Sequence, residues 1–153
     1  MKKTLLILLM ATFALQAQTG NKNIDQITGQ NINDVAMKMQ SFMSRKMRLT
    51  ASKEQSFVHH TKNDVDVIYH YQKFNDPDKT IKLLFGTNPE GHDLIVTDVT
   101  ISGDRDLIIE FFVKYWNTEI NLDTNSEPLA ESRYLNDKVE LFNSNPRIIV
   151  SKF

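Results

Sequence analysis

The stretch VDVIYHYQ, residues 65–72, decides the fold, because apolar and polar side chains alternate along most of it. The valines and tyrosines at the odd positions would share one face of a β-strand, and the aspartate and histidine at even positions would share the other. Alternation with a period of two is typical of a strand that is buried on one side. We therefore expect a sheet that packs its core against one face.

Before this strand, the apolar residues repeat with a different period. Between residues 31 and 49 the apolar side chains recur at helical spacing, which predicts a helix over about residues 32–49. Asn31 or Asn33 could cap its start, and Asp34 would lie in the first turn, where a negative charge is favourable. The apolar positions are Ile32, Val35, Ala36, Met39, Phe42, Met43 and Met47.

Further strands are predicted along the rest of the chain, at residues 55–60, 81–85, 94–101, 107–116 and 148–150. The stretch 107–116 is apolar on both faces of a strand, so we expect it to lie centrally in the sheet. Residues 126–143 are ambiguous. Their spacing favours a helix, but residues 139–142 could instead pair with 147–153 across a turn at 143–146.

These elements predict an α+β fold, in which an N-terminal helix packs on a curved, mainly antiparallel sheet of about five to six strands. The order of elements is analogous to that of cystatin-like and NTF2-like folds. The analogy concerns element order alone, because no motif in the chain identifies a family, and such folds support many functions.

The first residues of the chain predict its destination. Lys2 and Lys3 precede an apolar run over residues 4–14, and Ala17 offers a small residue for cleavage, so residues 1–17 are predicted to be a signal peptide. The run is shorter than the roughly 20 residues that span a membrane, and we expect no transmembrane segment in the mature chain. Residues 18–30 are predicted to be a flexible leader, and residues 31–153 a single domain. The expected location is the periplasm or the medium.

Composition excludes several classes of function. The 153 residues include no cysteine, so a lipid anchor on cysteine is excluded and disulfides cannot hold the fold. The formal net charge is −1, whereas a nucleic-acid-binding domain carries a strong basic excess. We expect no nucleic-acid partner.

The first candidate site is a basic face on the predicted helix. Lys38, Arg45 and Arg48 would lie opposite its methionines, and this face could dock on lipid headgroups, lipopolysaccharide or an acidic partner. The alternative is that these cations are simply solvated on the outer face of a helix that packs on the core.

Two further residues are candidate binding groups. Glu110 lies among apolar residues, and its pKa would be raised if it faced a pocket. His70 could share a face with one histidine of the pair at positions 59 and 60, but the chain carries no spaced metal motif, so no metal site is predicted. The nucleophile and phosphate-binding motifs of enzymes are also missing, so we expect no catalytic residue and no cofactor.

The predicted function is therefore that of a non-catalytic binding or adaptor protein of a bacterial envelope. Its expected partner is an envelope protein or an anionic surface component, and the doubly apolar stretch 107–116 would also allow a homodimer. The alternative is a small enzyme or ligand-binding protein with a pocket between helix and sheet.

Overall fold

The computed structural model of the chain describes residues 26–43, 45–59, 62–116, 120 and 127–153. Helix α1 spans Ile32–Met43 and is followed by four strands, β1 (Met47–His59), β2 (Lys62–Lys73), β3 (Asp76–Glu90) and β4 (Asp93–Gly103). Helix α2 spans Arg105–Trp116, and three shorter strands follow, β5 (Ala130–Tyr134), β6 (Asp137–Phe142) and β7 (Arg147–Lys152). Neither helix has the length and apolar character that crossing a membrane requires.

All seven strands form one sheet in the order β1-β2-β3-β4-β7-β6-β5, and every neighbouring pair is antiparallel. The sheet consists of two meanders, β1–β4 and β5–β7, whose last strands pair with each other. Strand β4 is consequently the middle strand. Helix α2 lies in the connection from this middle strand to the edge strand β5.

The core lies on one face of the sheet. Val67, Phe85, Val99 and Val150 stand side by side across β2, β3, β4 and β7, and all four are buried. The buried residues of α1 and α2 belong to the same apolar cluster as these strand residues. Both helices therefore cover the same face of the sheet.

The coarse fold prediction is confirmed, because the chain is α+β and its sheet is antiparallel. The predicted strand number of five to six is too low, since the sheet has seven strands. The helix expected at the N terminus begins only at Ile32, and a second helix follows β4. This second helix departs from the order of one helix and then strands on which the analogy with cystatin-like and NTF2-like folds depended.

The prediction of a central strand over residues 107–116 is wrong, because these residues lie in helix α2. Its buried residues are spaced so that they fall on one side of a helix, which explains why both faces of a supposed strand looked apolar. Asp104 starts the helix, since its carboxylate accepts a hydrogen bond of 3.1 Å from the Leu107 N–H. The buried residues are Leu107, Ile108, Phe111, Phe112, Tyr115 and Trp116.

The predicted helix over 32–49 is too long, because α1 ends at Met43 and β1 begins at Met47. Pairing of Met47 with Lys73 on β2 draws the end of the predicted helix into the sheet. The helix favoured for residues 126–143 is also wrong, since β5 and β6 form a hairpin there. The hairpin alternative is confirmed by the pairing of Phe142 with Arg147.

The last residues of the predicted leader pack on the domain. Ile27 is 1% exposed and Thr28 is 2% exposed. The Gly29 N–H donates to the Val96 carbonyl oxygen at 2.8 Å, and the Val96 N–H donates to the Gln30 carbonyl oxygen at 2.9 Å. Residues 1–25, with the predicted signal peptide and the rest of the leader, lie outside the described residues.

Candidate functional site

The face of the sheet opposite the two helices is the candidate site, and we call it the open face. On β3 the core side holds Ile81, Leu83 and Phe85, all buried, whereas Lys82 and Leu84 between them point to the open face and stay half-buried. No described helix packs on this second side. Strand pairing then aligns the open-face residues of β2, β3, β4 and β7 in three rows that run across the sheet.

The middle row is apolar. Ile68 on β2 pairs with Leu84 on β3, Leu84 with Thr100 on β4, and Thr100 with Ile149 on β7. All four are half-buried although nothing described covers them, because neighbours in the row shield one another. The row consists of three aliphatic residues and one threonine on four strands, and it continues to Lys53 on β1 and Glu140 on β6. An apolar patch on an uncovered face is typical of an interaction surface.

The row on one side of the middle row is basic. His70 pairs with Lys82, Lys82 with Ser102, and Ser102 with Arg147. Arg147 lies with its guanidinium 4.6 Å from the centre of the Phe142 ring, which continues this row on β6. The basic row thus presents two fixed cations and one histidine.

The row on the other side is acidic, and it comprises Asp66, Gly86, Asp98 and Ser151. The Asp98 side chain leans over Gly86, since a Cβ atom added at Gly86 would lie 2.9 Å from Asp98 Cγ. The Thr97 hydroxyl donates to the Asp98 carboxylate at 2.8 Å and helps to hold it. The absence of a side chain at Gly86 thus gives the Asp98 carboxylate its place on the open face.

A groove of about 450 Å³ lies along the acidic row and also includes Asp64. Burial raises the pKa of Asp66 above its ordinary value of 3.8, and the negative charges of Asp98 and Asp64 raise it further. Asp64 Oδ1 is buried and has no hydrogen-bond partner among the described residues. The row therefore concentrates negative charge at some cost to the fold.

The three cations of the predicted basic face do not share one helix. Lys38 is the one cation of α1, Arg45 lies in the turn after that helix, and Arg48 lies on β1. Arg48 donates through Nη2 at 2.6 Å and Nε at 3.1 Å to the Gln72 side chain. The structure therefore does not bring these residues together on a helix face.

Glu110 lies on α2, where its carboxylate binds both Lys46 and Lys114, the latter at 2.6 Å. The hydrogen bond from Lys114, and then that from Lys46, lowers the pKa of Glu110 below its ordinary value of 4.5. A raised pKa was expected for a carboxylate facing a pocket, and the direction is the reverse. Glu110 does line a cavity, but its volume is about 20 Å³, which is room for about one water molecule.

Of the predicted site residues, His70 and Arg48 lie on the open face, Arg48 on β1 where it pairs with Gln72, one row beyond His70. Position 60 of the histidine pair is outside the described residues. Among the residues that the structure describes, no group of three or more histidine and carboxylate side chains could hold a metal ion.

Comparison with known proteins assigns no family. No family model matches the chain, and neither a curated protein nor a solved structure matches it.

The residues of the open face that the sequence did not identify as candidates are Leu84, Thr100, Ile149 and Lys82. A signal for Lys82 and Leu84 exists in β3, where they alternate with the apolar residues Ile81, Leu83 and Phe85. Their arrangement in rows depends on strand register, which local sequence does not encode.

Proposed function

We propose that this chain is a non-catalytic binding module of the bacterial envelope, and that a protein partner docks on the open face of its sheet. The observation that carries the proposal is the apolar row of Ile68, Leu84, Thr100 and Ile149 between two charged rows on an uncovered face. An apolar centre with a polar rim is the usual anatomy of a protein interface.

The shape of the open face favours a macromolecule over a small ligand. Small molecules bind in concave pockets that enclose most of their surface. The cavity beside Glu110 holds about 20 Å³, so it gives no support to the alternative of an enzyme or ligand-binding pocket between helix and sheet. The groove of about 450 Å³ along the acidic row is lined almost entirely by polar side chains, whereas small-molecule pockets are mostly apolar. The aliphatic residues beside that groove instead suit the surface of another protein.

The proposed location rests on the sequence of the first 17 residues, which has the basic start, apolar run and small residue of a signal peptide. Export without a lipid anchor would release the domain into the periplasm or the medium. The anionic-surface alternative has less support, because Lys38, Arg45 and Arg48 lie on three different elements.

A photo-crosslinking experiment in the producing cells tests the proposal. A photoreactive amino acid replaces Thr100 on the open face in one variant and Val113, exposed on α2, in the matched control. We expect a covalent protein adduct from position 100, lost when Leu84→Glu is added, and none of that adduct from position 113. Failure of position 100 to form an adduct, or the same adduct from both faces, would refute docking on the open face.

A further inference from the structure

We propose that the partner on the open face is a second copy of this chain, packed face to face about a two-fold axis that runs across the strands along the apolar row. The inference rests on the proposed function, because it names the occupant of the same face. The three rows favour such a pair because their charges are complementary.

The symmetry of such a pair follows from the direction of its axis. A two-fold axis that lies between two facing sheets and crosses their strands leaves each strand opposite its own copy, running the other way. The row on the axis then faces itself, and the rows on either side exchange places. The apolar row therefore packs on the apolar row, and each basic row faces an acidic row.

The closest opposite charges in this arrangement are Lys82 and Asp98. Lys82 of one copy lies opposite Gly86 of the other, because both are on β3, one on each side of the apolar row. The Asp98 carboxylate of that second copy lies over Gly86, so it would be next to the Lys82 ammonium group of the first copy. Symmetry makes this contact twice, and His70 faces Asp66 of the second copy in the same way.

Both groups are available for a contact between copies. Neither Lys82 nor Asp98 forms an ion pair within the part of the chain that the structure describes. The negative charge gathered around Asp66, which is unfavourable within one copy, would be matched by the basic row of another. This accounts for a cluster of carboxylates that has no cationic partner among the described residues.

An axis along the strands is disfavoured by the same residues. If the axis followed the middle strand β4, β3 of one copy would face β7 of the other, and Lys82 would lie opposite Arg147. Ile68 would face Glu140 on β6. Like charges directly opposed and an aliphatic residue against a carboxylate are both unfavourable. The axis across the strands avoids these contacts on the four middle strands, but at the ends of the middle row it sets Lys53 on β1 and Glu140 on β6 opposite their own copies. We choose it because it alone brings Lys82 to Asp98 and His70 to Asp66.

The open face is large enough for such a dimer. All seven strands, spaced roughly 4.8 Å apart and taken over roughly 20 Å of their length, present a footprint of roughly 700 Å² per copy. The four strands that carry the three rows supply somewhat more than half of it. Stable protein interfaces bury on average roughly 800 Å² per partner. Facing sheets also pack at roughly 10 Å with interleaved side chains, as in β-sandwiches.

Sedimentation equilibrium tests the proposal on the protein purified from the producing cells in the form to which they process it. We expect a reversible monomer–dimer equilibrium, and Lys82→Glu should raise its dissociation constant by on the order of 100-fold, because a carboxylate at position 82 would face the acidic row. Asp98→Lys should act similarly, and the double variant Lys82→Glu/Asp98→Lys should return to within about tenfold of the unmodified chain. Lys79→Glu, on the same strand but outside the three rows, is the matched control and should change nothing.

A second measurement does not depend on charge reversal. The chain has no cysteine, so Thr100→Cys places one thiol per copy on the proposed axis, and Val113→Cys places it on the helix side. A short bismaleimide should link Thr100→Cys into dimers and leave Val113→Cys monomeric.

Three results would overturn the second copy as partner: a monomer at every concentration, equal effects of Lys82→Glu and Lys79→Glu, or no linkage through position 100. A monomeric chain that still forms a photo-adduct with another protein from position 100 would overturn the dimer alone and leave the proposed function standing. Loss of both readouts would overturn both proposals.

Discussion

The Asp137 carboxylate accepts a hydrogen bond of 2.7 Å from the backbone N–H of Ile27, a residue 110 positions earlier in the chain. It also accepts hydrogen bonds from the Thr28 N–H, at 3.3 Å, and from the Thr28 hydroxyl. Asp137 is 1% exposed and starts strand β6. One buried side chain therefore joins the start of the described chain to the second meander of the sheet.

Asp137→Ala should lower the free energy of unfolding by about 2–4 kcal/mol. The substitution leaves buried N–H groups of Ile27 and Thr28 without an acceptor, and each such group costs about 1–3 kcal/mol. Urea unfolding followed by circular dichroism measures the change. Asp106→Ala, at an exposed aspartate of α2, is the control, and we expect a change within about 0.5 kcal/mol there. Equal effects at the two positions would contradict a structural role for Asp137.

Glu110→Gln should lower stability at neutral pH but not in acid. Lys114 and Lys46 hold the pKa of Glu110 below 4.5, so the ionised carboxylate stabilises the folded chain above that pH, and the contribution is lost as the pH falls through the lowered pKa. The side chain is 36% exposed, which limits the effect at neutral pH to roughly 0.5 kcal/mol. Urea unfolding near pH 7 and near pH 3 should show a difference from the unmodified chain only at the higher pH.

Asp66→Asn, unlike Glu110→Gln, should raise the stability of the folded chain at neutral pH. Burial and the charges of Asp98 and Asp64 raise the pKa of Asp66, so its ionisation destabilises the folded chain above the ordinary value of 3.8, and this penalty disappears as the pH falls. We expect the variant to be more stable than the unmodified chain near pH 7, by less than about 1 kcal/mol, and equally stable near pH 3.

That comparison is made at chain concentrations low enough to keep the protein monomeric. A variant that gains stability but binds its partner more weakly would show that Asp66 serves the open face at a cost to the fold. No gain near neutral pH would mean that the acidic row is not strained in the single copy.

The sequence indicated the sheet because alternation in residues 65–72 has one physical meaning, a strand with one buried side. It failed at residues 107–116, where adjacent pairs of apolar residues fit either a doubly buried strand or one side of a helix. The hydrogen bond from the Leu107 N–H to Asp104 resolves the ambiguity, but Asp104 in isolation also suits a hairpin turn. A cap is recognisable only together with the helix that follows it.

The candidate site could be predicted less well than the fold. His70 was identified as a possible binding residue, but Lys82 and Asp98 join it only through the pairing of three strands. A β-bulge between Gly86 and Thr87 shifts the register of β3 against β4. One residue of shift exchanges the two faces of a strand, so the rows of the open face cannot be derived without the bulge.

The effect of Gly86→Ala on the free energy of unfolding should depend on whether Asp98 is present. In the unmodified chain the new Cβ atom would lie 2.9 Å from Asp98 Cγ, so the Asp98 side chain must move and lose its place over β3. In the Asp98→Ala variant that obstacle is gone, and alanine is better than glycine within a strand by roughly 0.5–1 kcal/mol. We therefore expect Gly86→Ala to be neutral or destabilising alone and stabilising in the Asp98→Ala background.

The double-mutant cycle is measured by urea unfolding, and a coupling of about 1 kcal/mol between the two positions is the expected result. The same cycle has a second readout, because moving the Asp98 carboxylate should weaken the dimer even where it leaves the fold intact. Gly86→Ala should then raise the dissociation constant in the chain that retains Asp98 but leave it unchanged once Asp98 is alanine. Equal weakening in both backgrounds would mean that the methyl group blocks the second copy directly, and that Lys82 does not reach Asp98 across the interface.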